Sequence, residues 1–478
     1  MWFLRGMDAS RVGREGAEVG EYGLREEFMG AEFGDRRLSQ RLVRLAESIA
    51  VHPGRSLPSV CEGDAALEAA YRFFGNHAVT PAAILLPHVR ATVERCAEQD
   101  SVLAVHDTTV LGYRAGGKRS GLGPHGPCQQ FFAHTTLAVR ADAGHAPLGI
   151  LAVGTYVRKG DGGDGSESQR WFAQAHAVEQ LGVSPSRLVH VMDREADNFE
   201  LLARLVSHSF RFVIRADDDR VLVPETADAP KNLTEVLART SAQAIREVPI
   251  SVRGKHGTNA DRRKRHPPRN ARLARLHIGA TRVTLRRPHG RASSLPDTCT
   301  VHLIHVWEPS PPDGQAPVKW ILFTTEPMDT PEQLLAVVDI YRARWRVEEL
   351  FKALKTGCAF ESKQLESYDA LTNALAVYLP AAWRLLHLRS QTQDQPDAPG
   401  ASLLDMDELT VLKAIARRPL PSHPTRLDVL LAIAALGGHL KNNGQPGWQT
   451  LGRGFEHLSA RVEGFRLRGI LPHKCDQS

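Results

Sequence analysis

The stretch YRARWRVEELFKALK, residues 341–355, carries two patterns at once. At about 100° per residue, Tyr341, Arg344, Glu348 and Lys355 fall within an arc of about 60°. Val347, Leu350, Phe351 and Leu354 occupy the other side. A helix here buries an apolar face and aims a phenol, a guanidinium, a carboxylate and an ammonium at one target. The simpler reading is a solvated face with an i,i+4 pair of Arg344 and Glu348, which contributes a few tenths of a kcal/mol, about 0.3–0.5. The pattern predicts one long helix from Pro331 to about Gly357.

Outward from that helix, two aspartates follow apolar runs. Val102–Val105 reads as a strand ending in His106, Asp107, Thr108 and Thr109, and Leu188–Met192 as a strand delivering Asp193. Further strands are expected at 131–139, 149–157 and 210–215, with helices at 171–181 and 196–207. Strands first, then strands alternating with helices, give an α/β chain with a mixed sheet flanked by helices. Residues 217–326 break the scheme with alternating stretches such as Arg282–Leu285 and Trp320–Thr324, which read as a β-rich insertion.

Asp107, Asp193 and Glu348 together offer three hard oxygen ligands for Mg²⁺. Such a set can hold two ions about 4 Å apart, one activating a nucleophile and one stabilising a leaving oxygen. Each aspartate also has a structural reading. Asp107 before two threonines suits an Asx turn, and Asp193 before Ala196 suits a helix N-cap. His106 and His134 lie nearby, but imidazole is a softer ligand, so packing or hydrogen bonding is the expectation for both.

Composition narrows the class. In 478 residues, 42% hydrophobic and 24% charged is ordinary globular usage, which sets membrane and disordered classes aside. The six cysteines form no CxxC pair and no spacing for zinc or a disulfide framework, pointing to a reducing cytoplasm. Met1–Ser10 lacks the apolar core of a signal peptide, and the apolar runs at 374–383 and 429–436 are too short to span a bilayer. The net charge of +6 hides its distribution: Arg253–Arg287 holds 12 Lys/Arg against Asp261 alone, so that window is +11 and the remainder −5. Within it, Arg262, Arg263, Lys264 and Arg265 are consecutive. A basic segment in a slightly acidic body suggests a polyanion such as nucleic acid, held by its phosphates.

HDTTVLGYR (106–114), VMDREAD (191–197) and the spaced Y-R-E-K set resemble the three catalytic blocks of bacterial DDE transposases of the IS-four family, the hairpin-forming cut-and-paste type. The likeness extends to EFGDRRLSQRLVRLAESIA (32–50), AAYRFFGN (69–76), VKWILFTTEP (318–327) and LGGHLKNNGQPGWQTLGRGFEHL (436–458). It implies an RNase H-like core, interrupted by the β insertion, in which Asp107, Asp193 and Glu348 hold two Mg²⁺ ions, with Mn²⁺ as a substitute. It implies that Tyr341, Arg344 and Lys355 grip phosphates of the transposon end, that Trp320 stacks on a flipped base, and that Trp345 is a second stacking residue. By the same resemblance Arg37, Arg41 and Arg55 contact end DNA, and residues 436–458 pair two protomers over transposon-end and target DNA.

The expected organisation is a loose leader (1–30), a helical end-binding domain (31–95), the catalytic domain (96–389) with its insertion at about 217–326, a linker (390–402) and a helical dimerisation module (403–478). Two other readings remain open at this point. An RNase H-like endonuclease would need neither Trp320 nor the pairing region, and a catalytically silent DNA-binding regulator would not need all three carboxylates.

Overall fold

The computed structural model describes residues 24–114, 119–125, 128–158, 167–250, 270–290, 294–440 and 444–470. The chain divides into two compact units, one of Met1–Asp164, Ala177–Val183 and Trp345–Ser478, the other of Gly165–His176 and Ser184–Arg344.

The first unit opens on buried residues. Leu24, Glu27 and Phe28 are nearly inaccessible, so the end of the segment read as a loose leader is part of the core. Helix α1 (Arg36–Val51) starts where the Asp35 side chain accepts the Arg37 N–H and buries Leu42, Leu45 and Ile49 on one stripe. Helices α2 (Leu57–Val60), α3 (Asp64–Phe74) and α4 (Pro81–Ala97) follow. The strands are β1 (Val102–Arg114), β2 (Gly123–His125), β3 (Cys128–Arg140) and β4 (Pro147–Tyr156). β1 pairs antiparallel with β3 along its whole length, and β2 and β4 also pair antiparallel with β3.

The second unit alternates helices and strands before a run of strands. Helix α5 (Glu167–Glu179) precedes β5 (Leu188–Met192), whose five residues are all buried, then α6 (Phe199–Ser207), β6 (Phe212–Arg215) and α7 (Leu233–Arg239). Next come β7 (Ala244–Ile250), β8 (Arg272–Arg286), β9 (Thr298–Trp307), β10 (Lys319–Thr324) and α8 (Pro331–Ala343). β5 and β6 are parallel; β10, β9, β8 and β7 then add antiparallel in that order. Residues 244–324 are rich in strands, and β10, β9, β8 and β7 extend from the β5–β6 pair. Trp171, Phe199, Phe212, Leu285, Leu303 and Phe323 form the centre of this unit's core.

The long helix expected from Pro331 to Gly357 is broken. It stops at Ala343, because the Arg344 N–H turns back to the Tyr341 carbonyl at 3.1 Å, one residue short of the α-helical partner. Helix α9 (Trp345–Lys352) resumes in the first unit and runs into a π turn, Ala353–Gly357, closed by the Cys358 N–H on the Ala353 carbonyl at 2.8 Å. The 100° step therefore does not describe the path from Tyr341 to Lys355. Beyond it lie α10 (Tyr368–Asp394), α11 (Met406–Ile415), α12 (Arg426–Leu436) and α13 (Trp448–Ile470). α10 continues five residues into the segment read as linker. The Gly400 N–H to the Pro424 carbonyl and the Arg426 N–H to the Ala398 carbonyl, each 2.8 Å, tie down the remainder.

Candidate active site

Asp107 sits in the middle of β1, not at its end. The strand does not stop at HDTT because Thr109, Leu111 and Tyr113 alternate into the interior and every residue to Arg114 has a partner on β3. The Asp107 carboxylate is half-buried and its Oδ1 accepts the Thr108 N–H at 2.8 Å. Helix α9 buries Val347, Leu350 and Phe351 and packs against β1 and β3. It carries the half-buried Glu348. The strand of Asp107 and the helix of Glu348 are thus neighbours within one unit.

Lys355, in the π turn, belongs to the same neighbourhood. Its Nζ donates to the Val110 carbonyl of β1 at 2.6 Å and lies 4.0 Å from Glu361 Oε1, which itself accepts the Gly112 N–H at 2.9 Å. Burial pushes the Lys355 ammonium below its ordinary value, opposed by Glu361. Sequence reading missed Glu361, whose isolated position gives no pattern. It also missed Lys363, which is 1% exposed and donates to the carbonyls of Pro53, at 3.1 Å, and Arg55.

In the second unit, Asp193 closes β5 and is half-buried. Its Oδ1 accepts the Glu195 N–H at 2.9 Å, capping the single turn Arg194–Ala196, so the N-cap reading holds for that turn while Asn198 caps α6. Asp197, four residues on, was not singled out from the sequence. It accepts the N–H groups of Asp217 and Asp218 at 2.8 and 3.1 Å and pairs with Arg220, fastening the chain after β6 to the turn after β5. The second aspartate of the DREAD run was the available signal.

Trp320, half-buried on β10, meets the Tyr341 ring of α8 edge-on at 5.8 Å; Tyr341 is 7% exposed. Arg344 ends α8 half-exposed. Trp345 opens α9 in the first unit, 52% exposed, with Lys352 Nζ 4.6 Å above its ring. Tyr341 and Arg344 therefore belong to one unit, Glu348 and Lys355 to the other.

Arg37 is well exposed and bound at 3.0 Å to Asp35, Arg41 is half-exposed on α1, and Arg55 reaches Glu456 at 3.4 Å. Arg262, Arg263, Lys264 and Arg265 lie outside the described residues. His106 and His134 each hydrogen-bond a threonine across β1 and β3, His106 with Thr136 at 2.9 Å and His134 with Thr108 at 2.8 Å. That is the hydrogen-bonding role expected of them.

Among the described residues no three His, Cys, Asp or Glu side chains are gathered closely enough to cage a metal ion. The donor chemistry still suits a hard divalent cation: the three acids are carboxylates, and Asp107 and Asp193 are each oriented by a backbone N–H. A cavity of about 1100 Å³ lies elsewhere, between α10, α12 and the segments 417–421 and 444–446. Among the described residues no helix is long and apolar enough to cross a membrane.

Two family models match the chain. One, Transposase DNA-binding, covers residues 23–79, which hold α1, α2 and α3. The other, Transposase DDE domain, covers residues 160–383 and so includes Asp193, Trp320, Tyr341, Arg344, Trp345, Glu348 and Lys355. β1 and Asp107 precede it.

Proposed function

We propose, from the premise that these two matches support a DDE-type DNA transposase, that the chain binds the terminal inverted repeats of an insertion sequence of the IS-four family, excises it through a DNA hairpin and joins it to target DNA. The observation that carries this reading is the packing of α9, with Glu348, on β1, with Asp107. That pair supplies the acid that the matched region leaves out. Asp193 is the third, in what we read as an RNase H-like core.

Asp107, Asp193 and Glu348 would hold two Mg²⁺ ions, or Mn²⁺ in their place. When bound, such ions supply Lewis-acid activation of water and stabilisation of the leaving oxygen. The chain's own groups do the rest. The backbone N–H groups at Thr108 and Glu195 fix the two aspartates in place. Arg344 offers a planar fork to a phosphate and Lys355 a point charge, with Tyr341 completing the grip. Trp320 presents a base-sized ring for a nucleotide turned out of the duplex, and Trp345 presents a second.

Each chemical step exchanges one P–O bond for another. Water cleaves at the transposon end and frees a 3′-OH; this attacks the opposite strand and closes a hairpin; water reopens it; the 3′-OH then attacks target DNA. Arg37, Arg41 and Arg55 serve end binding, the basic segment with Arg262, Arg263, Lys264 and Arg265 serves backbone contact, and residues 436–458 pair two protomers.

The test is incubation with Mg²⁺ and the element's own terminal repeat, with products resolved on a denaturing gel. Hairpinned ends that vanish in Glu348→Ala support the proposal. Cleavage unaffected by that change, or a wild-type chain that binds the repeat without cutting it, rejects it.

A further inference from the structure

The β7–β10 sheet has two faces with different fates. One is covered by α8, where Asp339 pairs with Arg246 at 2.7 Å and Tyr341 meets Trp320. On the other, the chain at Thr240–Ser241 closes over Gly279 so tightly that a Cβ there would lie 2.3 Å from the Ser241 carbonyl oxygen. Beyond that point, among the described residues, the second face carries exposed and half-exposed side chains. Ile245, His277, Trp307 and Lys319 stand directly opposite one another across four strands and form one row on it. The next rows add Arg275 and Leu273. Leu273 is 66% and Ile245 49% exposed, and Arg275 and Lys319 are exposed as well.

The centre of this row is aromatic, and it ends on the cation Lys319 with Arg275 in the next row. Trp307 stacks on His305 at 4.5 Å with planes 24° apart and takes His277 edge-on at 5.6 Å. That holds the indole against two imidazole rings on the sheet surface. His305 is held well below its ordinary value by burial, with Lys319 adding to the effect, so the stack carries no charge of its own at neutral pH. The only acid in these rows is Glu247, opposite Arg275.

We propose that this face is a binding platform for single-stranded nucleic acid. Trp307 stacks on an unpaired base while Lys319 and Arg275 neutralise the adjoining phosphates. A duplex hides its base faces, so an aromatic row on a sheet surface matches an unpaired strand, which presents them. The platform is on the opposite side of the sheet from Trp320. It goes beyond the catalytic proposal and needs none of the three acids.

The experiment measures binding of the full chain to a fluorescent oligothymidylate and, separately, to the terminal-repeat duplex, without divalent metal and at fixed salt. Trp307→Ala weakens oligothymidylate binding at least about fivefold, the lower end for one stacked base. Trp307→Phe retains most of it, Lys319→Glu weakens it too, and duplex affinity stays within about twofold in all three. Oligothymidylate affinity unchanged in Lys319→Glu and Trp307→Ala overturns the platform. So does an equal loss of single-strand and duplex binding in the folded Trp307→Phe and Lys319→Glu proteins. Failure of the catalytic proposal is read independently, as a wild-type chain that does not cut its terminal repeat.

Discussion

The ammonium of Lys355 donates to the carbonyl of Val110 at 2.6 Å, three residues along β1 from Asp107. The side chain expected to grip a phosphate therefore also holds the strand that carries Asp107, a proposed catalytic acid. The two roles separate by substitution. Lys355→Gln keeps a donor for Val110 without the charge, whereas Lys355→Met leaves the carbonyl without its partner, a loss of about 1–3 kcal/mol where it is shielded from water. The expected outcome is that Gln preserves the urea midpoint and weakens cleavage, while Met lowers both. Wild-type cleavage by the Gln variant would restrict Lys355 to the structural role.

Trp320 and Tyr341 make a second separable pair. Trp320→Ala is expected to leave nicking of the transposon end intact while hairpin formation falls roughly tenfold, the scale of one base stack. Tyr341 is nearly buried against it, so Tyr341→Ala destabilises the second unit by about 3–5 kcal/mol, as for other large aromatic truncations. Quantifying nick and hairpin bands over time checks the first, and equal loss of both bands would mean that Trp320 only supports the sheet.

A buried network in the first unit sets the response to acid. Glu27, 1% exposed, pairs with Arg95 at 2.8 Å and with His88 Nδ1, while His88 Nε2 accepts the Ile150 N–H at 2.9 Å and so marks the ring as neutral. Burial alone would raise the Glu27 carboxyl, yet His88 and Arg95 hold it down to about 2. A carboxylate depressed from its unfolded value near 4.3 gives its full stabilisation above that pH and loses it as pH falls through about 2. Burial pushes His387 down to about 4. Its contribution is complete above about 6.5 and lost as pH falls toward 4, a window that His305 shares.

Urea midpoints should therefore drop in two stages, one between about pH 6.5 and 4 and one below about pH 4. His387→Asn makes the first stage shallower. Glu27→Gln removes much of the second and costs about 3–5 kcal/mol at neutral pH, because the Arg95 charge is left buried without its carboxylate. A midpoint constant from pH 7 to 4 would contradict this.

The π turn that carries Lys355 rests on glycines. A Cβ on Gly452 of α13 would lie 2.7 Å from the Gly357 carbonyl oxygen, a backbone atom that cannot rotate away. Gly452→Ala is expected to destabilise the first unit by about 1–3 kcal/mol and to impair cleavage through the displaced turn. Gly464, with nothing near its Cβ position, is the control: Gly464→Ala should be neutral or slightly stabilising within the helix. Equal midpoints for the two variants would argue against the close approach.

Much of this was legible because it is periodic. The buried strand Leu188–Met192 and the apolar stripe Val347, Leu350 and Phe351 follow from spacing alone, and with them the positions of Asp193 and Glu348. What escaped was decided by contacts remote in sequence. β1 runs past Asp107 because β3 pairs with it to Arg114. The helix at 331–357 breaks at Arg344 and loosens at Ala353 although neither glycine nor proline marks the places. Glu27 reads as one acid among several in a Glu-rich leader until α4 and β4 close around it.

The proposed chemistry needs Asp107 to act with Asp193 and Glu348, although Asp107 lies outside the matched DDE segment. Asp107→Cys tests this most directly, because a thiolate binds Mg²⁺ poorly and accepts softer Mn²⁺ better. The prediction is that this variant binds the terminal-repeat duplex like wild type, fails to cut it in Mg²⁺, and regains cleavage in Mn²⁺. Wild-type cleavage by Asp107→Cys in Mg²⁺ would contradict the account.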